Sequence, residues 1–254
     1  MGKSDNKLRL GKVLHYFDKL PSTNDYAAEL LNNGSPEAGT IIVAGEQTKG
    51  RGRRGRSWFT DADNNLTLSV ILYPQFINLN DQFYLNKLVS LAISDIIMEL
   101  SIGHVAIKWP NDVYIGNNKV AGILIQNNIQ SHQIQSCIIG IGLNVNQAEF
   151  PDYLPNPTSL YLETGQLFDL TTILKRLLNA LSNYYAHLTV GELTYLDAMY
   201  LERLYRRHGM HRFLTPNGKL IKGRVDHVNI KGELVIVDQK EKKTSFSFNE
   251  IEFL

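Results

Sequence analysis

Eleven residues, Thr48–Trp58 (TKGRGRRGRSW), hold five cations and no acid. The cations are Lys49, Arg51, Arg53, Arg54 and Arg56, and Gly50, Gly52 and Gly55 alternate with them. Glycine lets the backbone bend and turn its N–H groups toward an anion without a Cβ in the way. Arginine adds planar, permanently charged forks that match phosphate or carboxylate oxygens. Together they suit a loop that wraps a polyphosphate or an activated acyl phosphate. Each pair of these cations at about 10 Å in water repels by roughly 0.4 kcal/mol. The loop is therefore expected to be mobile until an anion neutralises it. Its glycines match the GxGxxG spacing of dinucleotide sites, but a polar loop, Ser57–Asn65, follows where that motif needs a helix. A GxxxxGK[ST] phosphate loop is absent.

A second constellation is Lys108-Trp109-Pro110-Asn111-Asp112. Pro110 ends the preceding strand and fixes a turn, so a lysine, an amide and a carboxylate share one strand end. The carboxylate suits a Mg²⁺–nucleotide or a nucleophilic amine. Lys119 opens the returning strand, Lys119-Val120-Ala121-Gly122. In Gly140-Ile141-Gly142-Leu143-Asn144 a flat ligand could approach the backbone closely.

The elements that must position these residues follow from periodicity and breakers. Strands are expected at Val13–Lys19, Thr40–Ala44, Leu66–Leu72, Val105–Trp109, Lys119–Gln126 and Ile134–Asn144, with a hairpin turn at Gly116-Asn117-Asn118. Ser22 or Thr23 can cap a helix running to about Asn32. Asp81–Leu100 reads as a helix with polar Asn86, Ser90 and Ser94 recurring every fourth residue, beside Lys87, Asp95 and Glu99. Residues 147–165 form a Pro-rich loop. Leu170–Leu188 has near-ideal helical spacing, and a second helix is expected over 191–207. From residue 212 on, turn signals at Asn217-Gly218 and Lys231-Gly232 separate short alternating strands. The reading is an α+β body over 1–211, on a mostly antiparallel or mixed sheet, and a small all-β module over 212–254.

The chain has 254 residues with 26 basic and 25 acidic side chains, a formal charge of +1. Outside Thr48–Trp58 it holds 21 basic and 25 acidic residues, so a general attraction to nucleic acid is not expected. The last 43 residues contain 8 basic and 6 acidic residues, which speaks against an RNA-binding module there. The single cysteine, Cys137, lies in an apolar run and reads as a buried thiol in a reducing, cytoplasmic setting. The N-terminus lacks the apolar stretch of a signal peptide, and no run approaches a membrane span. Gly2 would suit myristoylation, but residue six is Asn6. His208 and His211 have no third metal ligand at a recognisable spacing.

GRGRRGRSW, KWPNDVYIGNNKVAGIL and GIGLNVN, in this order after PSTN and GEQT, resemble biotin–protein ligase over roughly residues 13–254. The resemblance implies an α+β catalytic domain of the class II synthetase-like type, followed by an SH3-like β-barrel. It implies two steps: biotin and ATP give biotinyl-5′-AMP and pyrophosphate, and a lysine of a biotin carboxyl carrier domain of a carboxylase then takes the biotinyl group. It places Ser22, Thr23 and Asn24 along the biotin slot and Gln47 near the ureido ring. Gly50, Arg51, Gly52 and Arg53 belong to the loop closing over biotin and phosphates, with Trp58 packing on the intermediate. Lys119 would touch the biotin carboxylate and α-phosphate, and Gly122 and Gly142 would give the ring close backbone access. Arg53, Arg54, Arg56, Lys108, Asn111 and Asn144 fall on the ATP side. Asp112 stands near ATP–Mg²⁺ or the incoming lysine. Some 20 residues precede Pro21, too few for a winged helix-turn-helix, so the monofunctional class is expected. The resemblance leaves pairing of two copies through a sheet edge open. A lipoate–protein ligase and a non-catalytic carrier-binding protein are the alternatives. The arginine loop and KWPND point away from the first, and Lys119 together with the arginine loop away from the second.

Overall fold

The computed structural model describes residues 10–100 and 102–254. Gly2 and Asn6, and with them the myristoylation question, lie outside the described residues.

The chain order is β1 (Leu14–Leu20), α1 (Thr23–Asn33), β2 (Ile41–Gln47), β3 (Asn65–Leu72), α2 (Phe83–Glu99), β4 (Val105–Lys108), β5 (Asp112–Ile115), β6 (Asn118–Gln130) and β7 (Gln133–Asn144). Then come α3 (Leu160–Thr164), α4 (Leu170–Thr189), α5 (Leu193–Glu202), β8 (His211–Leu214), β9 (Leu220–Val228), β10 (Leu234–Asp238), β11 (Lys243–Phe246) and β12 (Glu252–Phe253). The first seven strands form one mixed sheet in the order β1-β2-β3-β7-β6-β5-β4. Only β1 and β2 pair in parallel. The last five form an antiparallel sheet in the order β11-β10-β9-β8-β12. The expected mixed α+β body and C-terminal β module are thus both present.

The helices cover the sheet. Ile173, Leu177, Leu181, Tyr184 and Leu188 of α4 fall on one face and are buried. Against them packs α2, whose Leu85, Leu88, Leu91, Ile93 and Ile96 are fully buried. Each such side chain contributes about 1.5–3 kcal/mol of hydrophobic stabilisation.

Several expectations are corrected. The polar recurrence along α2 lies against α5 and the segment after it. Ser90 and Ser94 are buried, and their hydroxyls donate back to the Asn86 and Leu91 carbonyls. Lys87 is 2% exposed and pairs with Asp197 of α5 at 2.5 Å. Arg203 binds Ser94 Oγ at 2.5 Å and Asp95 at 2.6 Å. Polar spacing alone does not separate a wet face from one roofed by another helix with matching charges. The second helix ends at Glu202, and the chain then runs along β4: Ile107 N–H donates to the Arg203 carbonyl, and Tyr205 N–H to the Ile107 carbonyl. The strands β6 and β7 extend to a two-residue turn, Ser131-His132, both at positive φ, which carries no Asn-Gly signal. The Pro-rich loop contains α3, capped by Ser159.

Candidate active site

The site is assembled at one edge of the two parallel strands and along one row of the sheet. The β1–α1–β2 unit brings the N-terminus of α1 beside the end of β2, where Leu20 pairs with Gln47. Ser22 caps α1 by accepting from the Asp25 N–H. Thr23 then donates both its backbone N–H (2.8 Å) and its hydroxyl (3.1 Å) to Gln47 Oε1. That oxygen is saturated, so the Gln47 amide nitrogen remains as a donor for a ligand. Asn24 is held from both sides: Ser69 lies 2.6 Å from its Oδ1, and its Nδ2 reaches Gln126 Oε1 at 2.8 Å. Ser69 Oγ lies 2.6 Å from Asn24 Oδ1 and 2.8 Å from Thr23 Oγ1, and its one proton donates to the nearer Asn24 oxygen. A Cβ at Gly140 would collide with the Asn24 amide. Ser69 and Gln126 are not legible as site residues, because neither belongs to a motif and both act through Asn24; Gly140, in the glycine-rich strand end, lines the cavity itself.

The second part is a transverse row. The register pairs Lys108 with Asp112, Asp112 with Gly122, Gly122 with Gly142, and Gly142 with Thr67. Cross-strand partners share a face, so the two glycines make a flat spot beside the carboxylate. On it lies the indole of Trp58. A Cβ at Gly122 would come within 2.9 Å of the ring, and one at Gly142 would overlap it. The glycines thus serve a close approach, but here by Trp58 rather than by an open slot.

The arginine segment folds back on itself: Trp58 N–H donates to the Gly50 carbonyl, and Gly52 N–H to the Arg56 carbonyl. Its helical content is one 3₁₀ turn, Arg53–Gly55, which agrees with rejecting the dinucleotide reading. Its cations are less free than the sequence suggests. Arg51 pairs with Asp25, Arg53 Nη1 reaches Asn111 Oδ1 at 3.3 Å, and Arg54 donates to the Phe248 carbonyl at 3.4 Å. Burial lowers the pKa of Arg53 from its usual value, and neighbouring Arg54 lowers it further.

These parts enclose a cavity of about 540 Å³. Ser22, Thr23, Asn24 and Gln47 line one end, with Arg51, Gly52, Arg53, Arg54 and Arg56 along the loop side. Trp58, Asn111, Asp112, Lys119, Gly122 and Gly142 complete it. An adjoining cavity of about 880 Å³ shares Arg56, Trp58, Asp112 and Lys119 and adds Lys108 and Asn144. Its far wall comes from Phe150–Pro157 and from the C-terminal sheet, including Pro216, Asn249 and Phe253. Gly50 lines neither cavity. A Cβ there would strike the Trp58 backbone, so its place is to let the two limbs of the loop pass.

Lys119 stands at the junction. Its ammonium is 2.7 Å from Asp112 and 5.5 Å from the centre of the Trp58 ring. The contact with Asp112 is a charge pair without hydrogen-bond alignment, since Asp112 Oδ1 has no aligned donor. Backbone bonds from Lys119 N–H to the Asn156 carbonyl and from Thr158 N–H to the Lys119 carbonyl fix its position. Lys108 lies under Tyr114, 3.3 Å from its hydroxyl, and burial lowers the pKa of its ammonium against the opposing pull of Asp112. Trp58 Nε1 and Asn144 Oδ1 are buried without partners, one a donor and one an acceptor. Cys137 is fully buried, and burial pushes its thiol up to about 12, so it takes no part. Among the described residues no group of three or more His, Cys, Asp or Glu could hold a metal by itself.

The arrangement joins a neutral, hydrogen-bonding slot to a cationic junction and a larger second cavity. It can hold an uncharged head group with an anionic tail next to a phosphorylated partner.

Comparison with known proteins agrees with this geometry. Residues 16–144 match the model of the biotin/lipoate A/B protein ligase family. The bifunctional ligase/repressor BirA of Bacillus subtilis is 40% identical over 172 residues, covering 66% of this chain and 52% of that protein. A biotin–[acetyl-CoA-carboxylase] ligase of Paracoccus denitrificans is 36% identical over 175 residues, covering 66% of this chain and 70% of that one. The chain spans about half the length of the first of these relatives. The biotin protein ligase of Aquifex aeolicus, solved with biotin and ATP, superposes with a TM-score of 0.78 at 27% identity over 96% of this chain and 99% of that one. The chain belongs to the biotin/lipoate A/B protein ligase family.

Proposed function

We propose that this protein is an ATP-dependent biotin–protein ligase. The observation that carries the reading is the junction of the two cavities at Lys119, Asp112 and Trp58, between an amide- and hydroxyl-lined slot and an arginine-lined loop. Biotin is neutral except for its carboxylate, so it suits a slot that offers a few fixed hydrogen bonds and one cationic end. ATP fits the larger cavity, with its α-phosphate at the junction. The Aquifex aeolicus neighbour was solved with this same ligand pair.

In the first step a biotin carboxylate oxygen attacks the α-phosphorus, and pyrophosphate leaves with the electron pair of the broken P–O bond. Two anions must meet. Arg51, Arg53, Lys108 and Lys119 offset their repulsion and the charge that develops on the phosphoryl oxygens. Arg56 faces the leaving phosphates and Asn144 the nucleotide from the larger cavity, while Arg54 and Asn111 reach toward them from the slot side of the junction. In the second step the amine of a carrier-domain lysine attacks the acyl carbon, AMP departs, and an amide forms. The loop Gly50–Arg56, folded over the site, keeps water from the anhydride. Among the described residues Asp112 is the one carboxylate lining both cavities. Mg²⁺ commonly takes one or two carboxylates plus phosphate oxygens, so Asp112 would hold the ion that accompanies ATP and supplies Lewis-acid stabilisation.

The catalytic body is read as the residues up to 211 and the C-terminal module as 212–254. A biotin carboxyl carrier domain is the partner and the cytoplasm the compartment. No helix among the described residues is long and apolar enough to cross a membrane. For pairing of two copies β1 is the candidate edge, because it borders the sheet with Leu14 and Tyr16 exposed while β4 is covered by 203–205.

Incubation with biotin, ATP, Mg²⁺ and an apo carrier domain is expected to add one biotinyl group to one carrier lysine, read by peptide mass spectrometry. An unmodified carrier under conditions where a known biotin ligase labels it would overturn the assignment. Ser69→Ala removes the donor that orients Asn24. It is expected to raise the biotin KM about tenfold, the value of roughly one hydrogen bond, with little change in kcat. An unchanged KM would remove Ser69 from the slot's support.

A further inference from the structure

The C-terminal module has no part in the reading so far beyond walling the second cavity. Its connection between β11 and β12 nevertheless touches the arginine loop directly. The Arg53 guanidinium lies over the Phe248 ring, 4.3 Å from its centre. Arg54 donates to the backbone carbonyl of the same residue. Two consecutive loop arginines therefore converge on one residue about 195 positions away, one on its ring and one on its backbone.

The ring is itself fixed. Trp109 stands 5.4 Å from it and Phe83, at the start of α2, 6.0 Å. Both are buried. The turn between β9 and β10 closes against the same aromatics: Trp109 Nε1 donates to the Gly232 carbonyl at 2.8 Å, and a Cβ on Gly232 would come within 2.8 Å of the Phe83 ring. Gly232 has φ +82°, so its backbone also disfavours a side chain. The Trp109 that steadies Phe248 belongs to the same turn as Lys108, Asn111 and Asp112. Next to Phe248, Asn249 sits at φ +69° and lines both cavities at their junction.

We propose that Phe248 is a positioning residue for the arginine loop: its ring face docks Arg53 and its carbonyl docks Arg54, so that the C-terminal module holds the loop folded over the site before the nucleotide arrives. This rests on the reading of the site as one for biotin and ATP. A phenyl face attracts a guanidinium and, unlike a carboxylate, leaves its N–H donors free at the ring edge. Arg53 uses one of them on Asn111. The remaining N–H groups stay available for phosphate oxygens. A carboxylate at position 248 would hold the loop but compete with the triphosphate for the same donors. The ring orders the loop in advance, which lowers the cost of binding.

The test compares the full-length protein with Phe248→Leu and Phe248→Tyr. Leucine keeps apolar packing against Trp109 and Phe83 but has no ring face, whereas tyrosine retains it. Trypsin cleavage after Arg51, Arg53, Arg54 and Arg56, followed without ligand by fragment mass spectrometry, is expected to accelerate about 5- to 20-fold in Phe248→Leu. The KM for ATP in biotin-dependent pyrophosphate exchange should rise by a similar factor, with the biotin KM within about twofold of wild type. Phe248→Tyr should restore both readouts. Phe248→Met serves as the truncation if Phe248→Leu does not fold. Unchanged cleavage and ATP KM in the truncated variant would overturn the proposal, as would a tyrosine variant as impaired as leucine. If the wild-type protein showed no biotin-dependent exchange, the functional reading would fall, while the ligand-free cleavage rates would still report on the clasp.

Discussion

Replacing Lys119 by alanine is expected to lower the rate of biotin-dependent pyrophosphate exchange by about 10²–10³-fold, with a smaller rise in the biotin KM. Among the described residues Lys119 is the only lysine lining both cavities. It is held there by two backbone bonds to the 156–158 segment and by the charge of Asp112 at 2.7 Å. A single preorganised donor aimed at charge that develops in the transition state is commonly worth that factor. Arginine in its place should recover only part of the activity. Its broad planar fork does not fit the narrow space between Asp112 and the Trp58 indole that an ammonium occupies. The exchange assay on both variants, at saturating ATP, separates a loss in kcat from a loss in binding. Exchange at the wild-type rate in Lys119→Ala would remove the central cation from the mechanism.

The second large effect concerns stability. Lys87 is almost wholly buried in α2, under the rings of Tyr84 and Tyr200, and its ammonium is paired with Asp197. Tyr84 donates its hydroxyl to the other oxygen of the same carboxylate at 2.8 Å. Burial lowers the pKa of Lys87, and Asp197 is the main force opposing that shift. Asp197→Ala leaves a buried cation unpaired and is expected to cost about 3 kcal/mol at neutral pH, at the low end for broken buried pairs because Asp197 itself is partly exposed. For a chain of this size that is roughly a 6–12 °C fall in Tm. The sign with pH is fixed. A lysine with a depressed folded pKa binds its proton more weakly in the native than in the unfolded state. Stability therefore rises with pH between the lowered folded value and the unfolded value near 10.5. Removing Asp197 lowers the folded value further, so the penalty should shrink on going from pH 7 to pH 10. Lys87→Met combined with Asp197→Leu should regain most of the loss. A Tm deficit that is independent of pH would show that the buried charge is not its cause.

Much of this site is legible in the sequence, because its chemistry is concentrated in short runs. Gly50–Trp58 and Lys108–Asp112 each present their functional groups within one loop or turn. Breakers such as Pro110 and the Gly116-Asn117 turn place them at strand ends. What is not legible depends on register and on long-range packing. Lys108, Asp112, Gly122 and Gly142 form one row only because four antiparallel strands pair in a particular register. Periodicity predicts the strands but not their order. Ser69 and Gln126 are single polar residues in apolar strands, and their part appears only when α1 lays Asn24 across them. The burial of the polar stripe of α2 is not legible for the same reason: its partners, Asp197 and Arg203, are more than 100 residues away. Phe248, in a strand-end run of the C-terminal module, gives no signal of its contact with Arg53.

The central claim is that the hydroxyl- and amide-lined slot takes biotin and presents its carboxylate to the α-phosphate of ATP. Isotope exchange between pyrophosphate and ATP, measured without any carrier protein, tests it most directly. Exchange should appear when biotin is added, remain at background with lipoate at the same concentration, and fall about 10²–10³-fold in Lys119→Ala. Exchange supported by lipoate and not by biotin would contradict the account.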